Sequence, residues 1–171
     1  DADGFILCGS NLMKGAAYPL CRVIAQNMCR NKGGRYPARL IVDLSFKSYE
    51  KRFGGENAWL NRDKDEVKKY NEDEMCGFVC SANFYPTFMQ GISGLYKREN
   101  YSAIDVDAPL FIIAGDSDPV GAYGKGVKKL AKFYSDTVGV KDVEIRLYEG
   151  ARHEILNETC KAQVYADVAQ W

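Results

Sequence analysis

The sequence holds one histidine, His153, among 171 residues, and no Cys-x-x-Cys pair. A structural zinc site draws on several thiolates and imidazoles, so this scarcity argues against one, and no metal or cofactor is expected. Surplus charge of either sign is absent: Lys+Arg and Asp+Glu each number 23, which removes the cationic excess that nucleic-acid binding uses. No apolar run approaches the length of a membrane span, so no integral membrane segment is expected. The opening "DADGFILCGS" is too short and too acidic for a secretory leader, and a cytoplasmic location is the simplest reading. The six cysteines, Cys8, Cys21, Cys29, Cys76, Cys80 and Cys160, read as buried free thiols rather than disulfides. The acidic run Asp63, Asp65 and Glu66 lacks the spacing and the glycine of a calcium loop and reads as a solvated helix face.

What is there is a globular pattern. A hydrophobic content of 46% is enough to bury the core of one domain, or of a small core carrying an insertion. Phe5 to Cys8 and Leu110 to Ala114 are continuous apolar runs bounded by Gly or Pro, as strands buried on both faces of a parallel sheet are. "DVEIRLYEG" alternates Val143, Ile145 and Leu147 with Glu144, Arg146 and Tyr148, which predicts a wetter strand near a sheet edge. Between the last two strands, Val127, Leu130, Ala131, Tyr134 and Val138 form one helical stripe that Gly139 is placed to end. Cys160, Val164, Val168 and Trp171 recur at helical spacing after the third strand, with Asn157 as a candidate N-cap. The tail therefore reads β, α, β, α.

Residues 11 to about 106 break that rhythm and look mostly helical. "PLCRVIAQNMCRN" puts Leu20, Val23, Ile24 and Met28 on one side of a helix with Pro19 in its first turn. "KDEVKKYNEDEM" and "FYPTFMQGISGLYKRE" read as further helices, and "NKGGRYPAR" as the clearest loop. A buried parallel first strand should have two neighbours, yet the sequence supplies at most one for it. Half of a sheet is expected to be missing.

"FIIAGDSDPVG" offers two candidates for chemistry, Ser117 and Asp118. A serine nucleophile on a Gly-x-Ser-x-Gly elbow is excluded, because Pro119 stands where the second glycine belongs and "GISGL" misses the pattern by one position. A Gly-Asp-Ser esterase would place an aspartate three residues before its histidine, where this sequence has Gly150. Asp118 follows an apolar strand, at the carboxyl end of a parallel sheet where doubly wound folds place their sites. His153 follows the next strand, so the two side chains are expected to meet there. Asp118 would then orient the imidazole and leave its other nitrogen as a general base.

"LFIIAGDSDPVG", "YEGARHEILNE", "WLNRD" and "KKYNEDEMCGF" together resemble the carboxyl-terminal half of the α/β-hydrolase superfamily, in the monoacylglycerol lipase or lysophospholipase-like group often called serine aminopeptidase S33. The resemblance implies an α/β fold of parallel strands with flanking helices, with residues 1–10 and 107–171 as core and 11–106 as a helical cap. It implies that Asp118 and His153 are the catalytic acid and base of a triad in chain order Ser, Asp, His. Phe78, Phe84, Tyr85 and Phe88 then line a substrate pocket or serve equally as cap core, while Trp59 and Asp63 hold the cap together without a catalytic role. The family's serine and oxyanion-hole loop are not in this sequence, so the chain alone is expected to be inactive. The implied whole is a serine hydrolase of carboxylic esters, acting on a small lipid-like substrate such as a monoacylglycerol or lysophospholipid. The amino-terminal half, or another chain, would meet the exposed sheet edge. A non-catalytic binding or assembly module is the alternative.

Overall fold

The computed structural model describes residues 2–171. The chain divides into two compact units, one built from residues up to Leu12 with Tyr49–Glu72 and Ile104–Trp171, the other from Met13–Ser48 and Asp73–Ala103. The long insertion read from the sequence is therefore split, with residues 49–72 packing in the first unit.

The first unit contains strands β1 (Phe5–Cys8), β2 (Leu110–Gly115) and β3 (Val143–Tyr148), joined as one parallel sheet in the order β1-β2-β3. Phe5 is level with Leu110, and Leu110 with Val143. Every residue of β2 is buried, and its unbroken apolar run follows from cover on both faces. Leu110, Ile112 and Ala114 pack with Val127, Leu130 and Ala131 of helix α6 (Lys125–Lys132) on one side. Phe111 and Ile113 pack on the other with Tyr148, Ala151, Ile155 and with Val164 of helix α7 (Lys161–Gln170). Burying side chains of this size contributes about 1.5–3 kcal/mol each.

β1 departs from the expectation of burial on both faces: Phe5 and Ile6 are 50% and 39% exposed. The reason is topological, since among the described residues its pairing partner is β2 alone. β3 is the other edge, as its alternation indicated. The predicted stripe after β2 forms, but α6 passes at Phe133–Val138 into a π-helical stretch, and Gly139 closes it in the left-handed region at φ 92°. Asn157 is not the cap of the last helix. Its N–H donates to the Glu154 carbonyl in the preceding turn, and α7 starts four residues later, with Cys160 at the cap position.

The second unit is helical, with α1 (Ala17–Lys32), the first ten residues of α2 (Arg39–Phe53), α4 (Phe84–Leu95) and the short α5 (Arg98–Tyr101); α3 (Lys64–Glu72) belongs to the first unit. Its core is Ala25, Ala38 and Ile41, with Cys21, Ile24, Met28 and Tyr85 against them. The buried stripe of α1 is thus Cys21, Ile24, Ala25 and Met28, rotated from the expected face: Leu20 and Val23 are 60% and 52% exposed. Cys21, Ile24, Ala25 and Met28 follow the i, i+3, i+4, i+7 spacing of one helix face, and that face meets Ala38, Ile41 and Tyr85. The loop 33–38 lies antiparallel to 80–83, with Ala38 N–H donating to Cys80 and Ala82 N–H to Tyr36. The six thiols are free, as expected, but none is buried: Cys8 is exposed and the other five are half-buried.

Candidate active site

The site forms where β2 and β3 end. Gly115 closes β2 because no larger residue fits: a Cβ there would lie 2.0 Å from the Ala151 carbonyl oxygen. That close approach lets the turn after β2 bind the segment after β3. Asp116 N–H donates to the Tyr148 carbonyl at 3.1 Å and Ser117 N–H to the Ala151 carbonyl at 3.0 Å. The Asp116 carboxylate accepts the Gly150 N–H at 2.7 Å and the Ser117 hydroxyl at 3.1 Å. Ser117 is accordingly part of a strap between two loops.

Asp118 follows and is fully buried. One carboxylate oxygen accepts the Val120 N–H at 2.8 Å, and the other lies 2.9 Å from His153 Nδ1. Ala122 and Tyr123, at φ 50° and 56°, take the chain through a left-handed turn whose Tyr123 N–H donates back to the Asp118 carbonyl at 2.8 Å. The sequence thus placed both polar partners, and the structure joins them. A carboxylate can only accept, so Nδ1 carries the proton and Nε2 keeps its lone pair. The acid is sealed while the imidazole is 29% exposed, an arrangement that leaves Nε2 able to take a proton from a reacting group. Among the described residues, no serine hydroxyl is hydrogen-bonded to that nitrogen.

Two further groups wall the imidazole. Gly9, at φ 60° just past β1, runs so close that a Cβ would meet His153 Cε1 at 3.3 Å. Trp59, buried, sits with its ring centroid 5.5 Å from that of His153, tilted by 42°, and Tyr49 meets Trp59 edge-on at 5.9 Å. The buried charge of Asp118 is felt by its neighbours. Although Cys8 is exposed as a residue, partial desolvation of its sulfur first, then Asp118, raises the thiol above its ordinary value, and burial, Tyr123 and Asp118 do the same to the Tyr49 phenol.

A buried carboxylate that the sequence did not single out, Glu158, organises the irregular segment carrying His153. Its Oε1 accepts the N–H groups of Arg62 at 3.0 Å and Arg152 at 2.9 Å; its Oε2 accepts Arg62 Nε and the Thr159 N–H, both at 2.9 Å. Burial alone would raise this carboxyl, but the Arg152 N–H, the Arg62 side chain and the N–H groups of Arg62 and Thr159 outweigh it and hold it below the usual range. The Arg152 guanidinium donates to the carbonyls of Asn61, at 2.9 Å, and Ala58, and lies over the Phe53 ring. Trp59 and its "WLNRD" neighbours therefore brace the histidine, a role that apolar periodicity does not reveal. Asp63 accepts the Asp65 N–H at 3.0 Å at the start of α3, where Asp65 and Glu66 occupy the first turn.

The four expected pocket aromatics lie in the second unit. Phe84 and Phe88 stack at 5.2 Å and are both more than 40% exposed, and Phe78 is 66% exposed. Tyr85 differs from them: it packs on the Ala25, Ala38 and Ile41 core. No helix among the described residues is long and apolar enough to cross a membrane, and no three His, Cys, Asp or Glu side chains among them group as metal ligands do.

A parallel sheet with a helical crossover, and an aspartate and a histidine meeting at adjacent strand ends, define an α/β-hydrolase core. Residues 1–160 match the family described as serine aminopeptidase, S33, and the chain belongs to that family. It is 28% identical over 115 residues to a monoacylglycerol lipase of Mycolicibacterium smegmatis, an alignment covering 66% of this chain and 37% of the relative. In structure it is similar to a lipase solved in its open form, with a TM-score of 0.76, 24% identity, and coverage of 98% of this chain and 56% of the lipase. A thermostable carboxyl esterase from Bacillus coagulans, solved with glycerol, gives a TM-score of 0.72 and 25% identity, covering 98% of this chain and 54% of the esterase. The chain thus spans about half the length of these structures and less of the curated relative.

Proposed function

We propose that this chain supplies the acid and the base of a Ser-His-Asp triad in a carboxylic ester hydrolase that acts on monoacylglycerol- or lysophospholipid-like substrates. The observation that carries the reading is the 2.9 Å contact between His153 Nδ1 and the buried Asp118. In this mechanism Nε2 takes the proton of a serine hydroxyl as its oxygen attacks the ester carbonyl, and the imidazolium then gives that proton to the leaving alcohol. Water repeats the sequence on the acyl-enzyme. Asp118 fixes the tautomer and stabilises the imidazolium in both halves.

The serine, in this reading, lies outside these 171 residues, because the sequence contains no Gly-x-Ser-x-Gly and Ser117 is engaged by Asp116. The part that bears it would add its strand at the open edge of β1. The insertion's residues outside 49–72, namely Met13–Ser48 and Asp73–Ala103, would form the cap, and its exposed Phe84 and Phe88 are apolar groups that would suit an acyl chain. The ester class is supported by the similarity to a monoacylglycerol lipase and a carboxyl esterase.

The test is hydrolysis of a monoacylglycerol and a lysophospholipid by the natural full-length protein and its His153→Ala variant. Turnover of either ester that disappears in the variant supports the reading. An unchanged rate in the variant would sink it.

A further inference from the structure

We propose that Glu158 is a positioning residue for His153. The inference rests on the triad reading and extends it to the group that fixes where the base stands. His153 lies in a segment without regular structure between β3 and α7, and irregular buried backbone must find partners outside a ladder or helix. Glu158 and the "WLNRD" segment are those partners. On one side of His153, the Arg152 N–H is bound by Glu158 Oε1; on the other, the Glu154 N–H donates to the Leu60 carbonyl at 2.9 Å.

The same Oε1 accepts the Arg62 N–H, so one atom ties the histidine segment to the segment that carries Trp59 against the imidazole. Oε2 closes the far end through Thr159 and is clamped by Arg62 Nε. A charged acceptor is required by this count. Four N–H donors converge on the two oxygens of a fully buried side chain, and a neutral amide would turn a donor toward one pair of them. Glu158 does not touch the Asp118–His153 pair; it acts through the Arg152 backbone beside the base and through Arg62 of the segment that receives the Glu154 N–H.

The charged or titratable groups against Glu158 are Arg62, Arg152 and, through Arg62, Cys160. Those around the Asp118–His153 pair are Cys8 at the end of β1, Tyr49 in α2 and Tyr123 in the turn after β2. Desolvation raises both the Cys8 thiol and the Tyr49 phenol above their ordinary values. If the imidazole drifts from Asp118, its Nδ1–H loses the facing acceptor, and the tautomer that leaves Nε2 free is no longer fixed.

The experiment compares wild-type full-length protein with Glu158→Gln and, because that change disturbs several buried backbone donors at once, with Arg62→Met, which leaves the carboxylate and its backbone donors in place. Two readouts are taken: the low-field proton resonance of His153 Nδ1–H, and kcat and KM for ester across pH. Glu158→Gln is expected to lower kcat by about 10²-fold at unchanged KM, and to broaden or remove the low-field proton. Arg62→Met should do the same to a smaller degree. Folded variants that keep the low-field proton and the wild-type kcat would overturn the proposal, and if Glu158→Gln does not fold, Arg62→Met decides. A wild-type protein that shows the proton but hydrolyses no ester would contradict the hydrolase reading instead, while the resonance still tests the role of Glu158.

Discussion

His153 and Asp118 stand 35 positions apart, and each was visible in the sequence because polar residues in the turns that follow strands are conspicuous. Their pairing follows from β2 and β3 being adjacent and parallel, which sets their ends side by side. Asp118→Asn would keep the shape of the site but offer an amide where the proton on Nδ1 needs an acceptor. Its kcat is expected to fall about 10⁴-fold with little change in KM; steady-state kinetics on the ester checks this. Glu158 was not legible, since nothing in "HEILNE" separates a buried carboxylate from a solvated one. Its lowered proton affinity has a consequence for stability. A carboxyl depressed in the folded state stabilises the fold above its unfolded value, about 4.3, and that contribution is lost as pH falls through the lower folded value. The urea midpoint is therefore expected to decline in that acid window, and Glu158→Gln should flatten the decline.

At the scale of elements, the strands and the crossover were legible because β2 is apolar throughout and α6 carries a regular stripe. The features that escaped depend on tertiary choices. The π-helical stretch at Phe133–Val138, the start of α7 after Cys160 and the rotation of α1 onto Cys21 and Ala25 are fixed by what each helix meets, not by its own periodicity. α2 also went unremarked, as a helix whose residues are divided between the two units. Gly115 shows how tightly the element ends are matched. Adding one methyl would force it against the Ala151 backbone, which cannot yield as a flexible side chain does, so Gly115→Ala should cost about 3 kcal/mol or more in urea denaturation. A cost under about 0.5 kcal/mol would mean that the junction of β2 with the histidine segment is looser than described.

At the scale of the whole molecule, one unit holds the sheet and the acid-base pair, and the other holds a helical core with the exposed Phe84 and Phe88. β1 is paired on one side, with β2, and its Phe5 and Ile6 are half-exposed; an apolar strand with an open edge is an unusual thing for a folded protein to leave uncovered. The absent Gly-x-Ser-x-Gly and this open edge are independent observations, one chemical and one architectural, and the triad account joins them by placing the serine on the strand that would cover β1. The measurement that tests this most directly is labelling of the natural full-length protein with a fluorophosphonate, followed by mapping of the modified peptide. The account predicts one adduct, on a serine outside residues 1–171, that is lost in His153→Ala, and no adduct on the 171-residue chain by itself. An adduct on Ser117, or labelling that persists undiminished in His153→Ala, would contradict it.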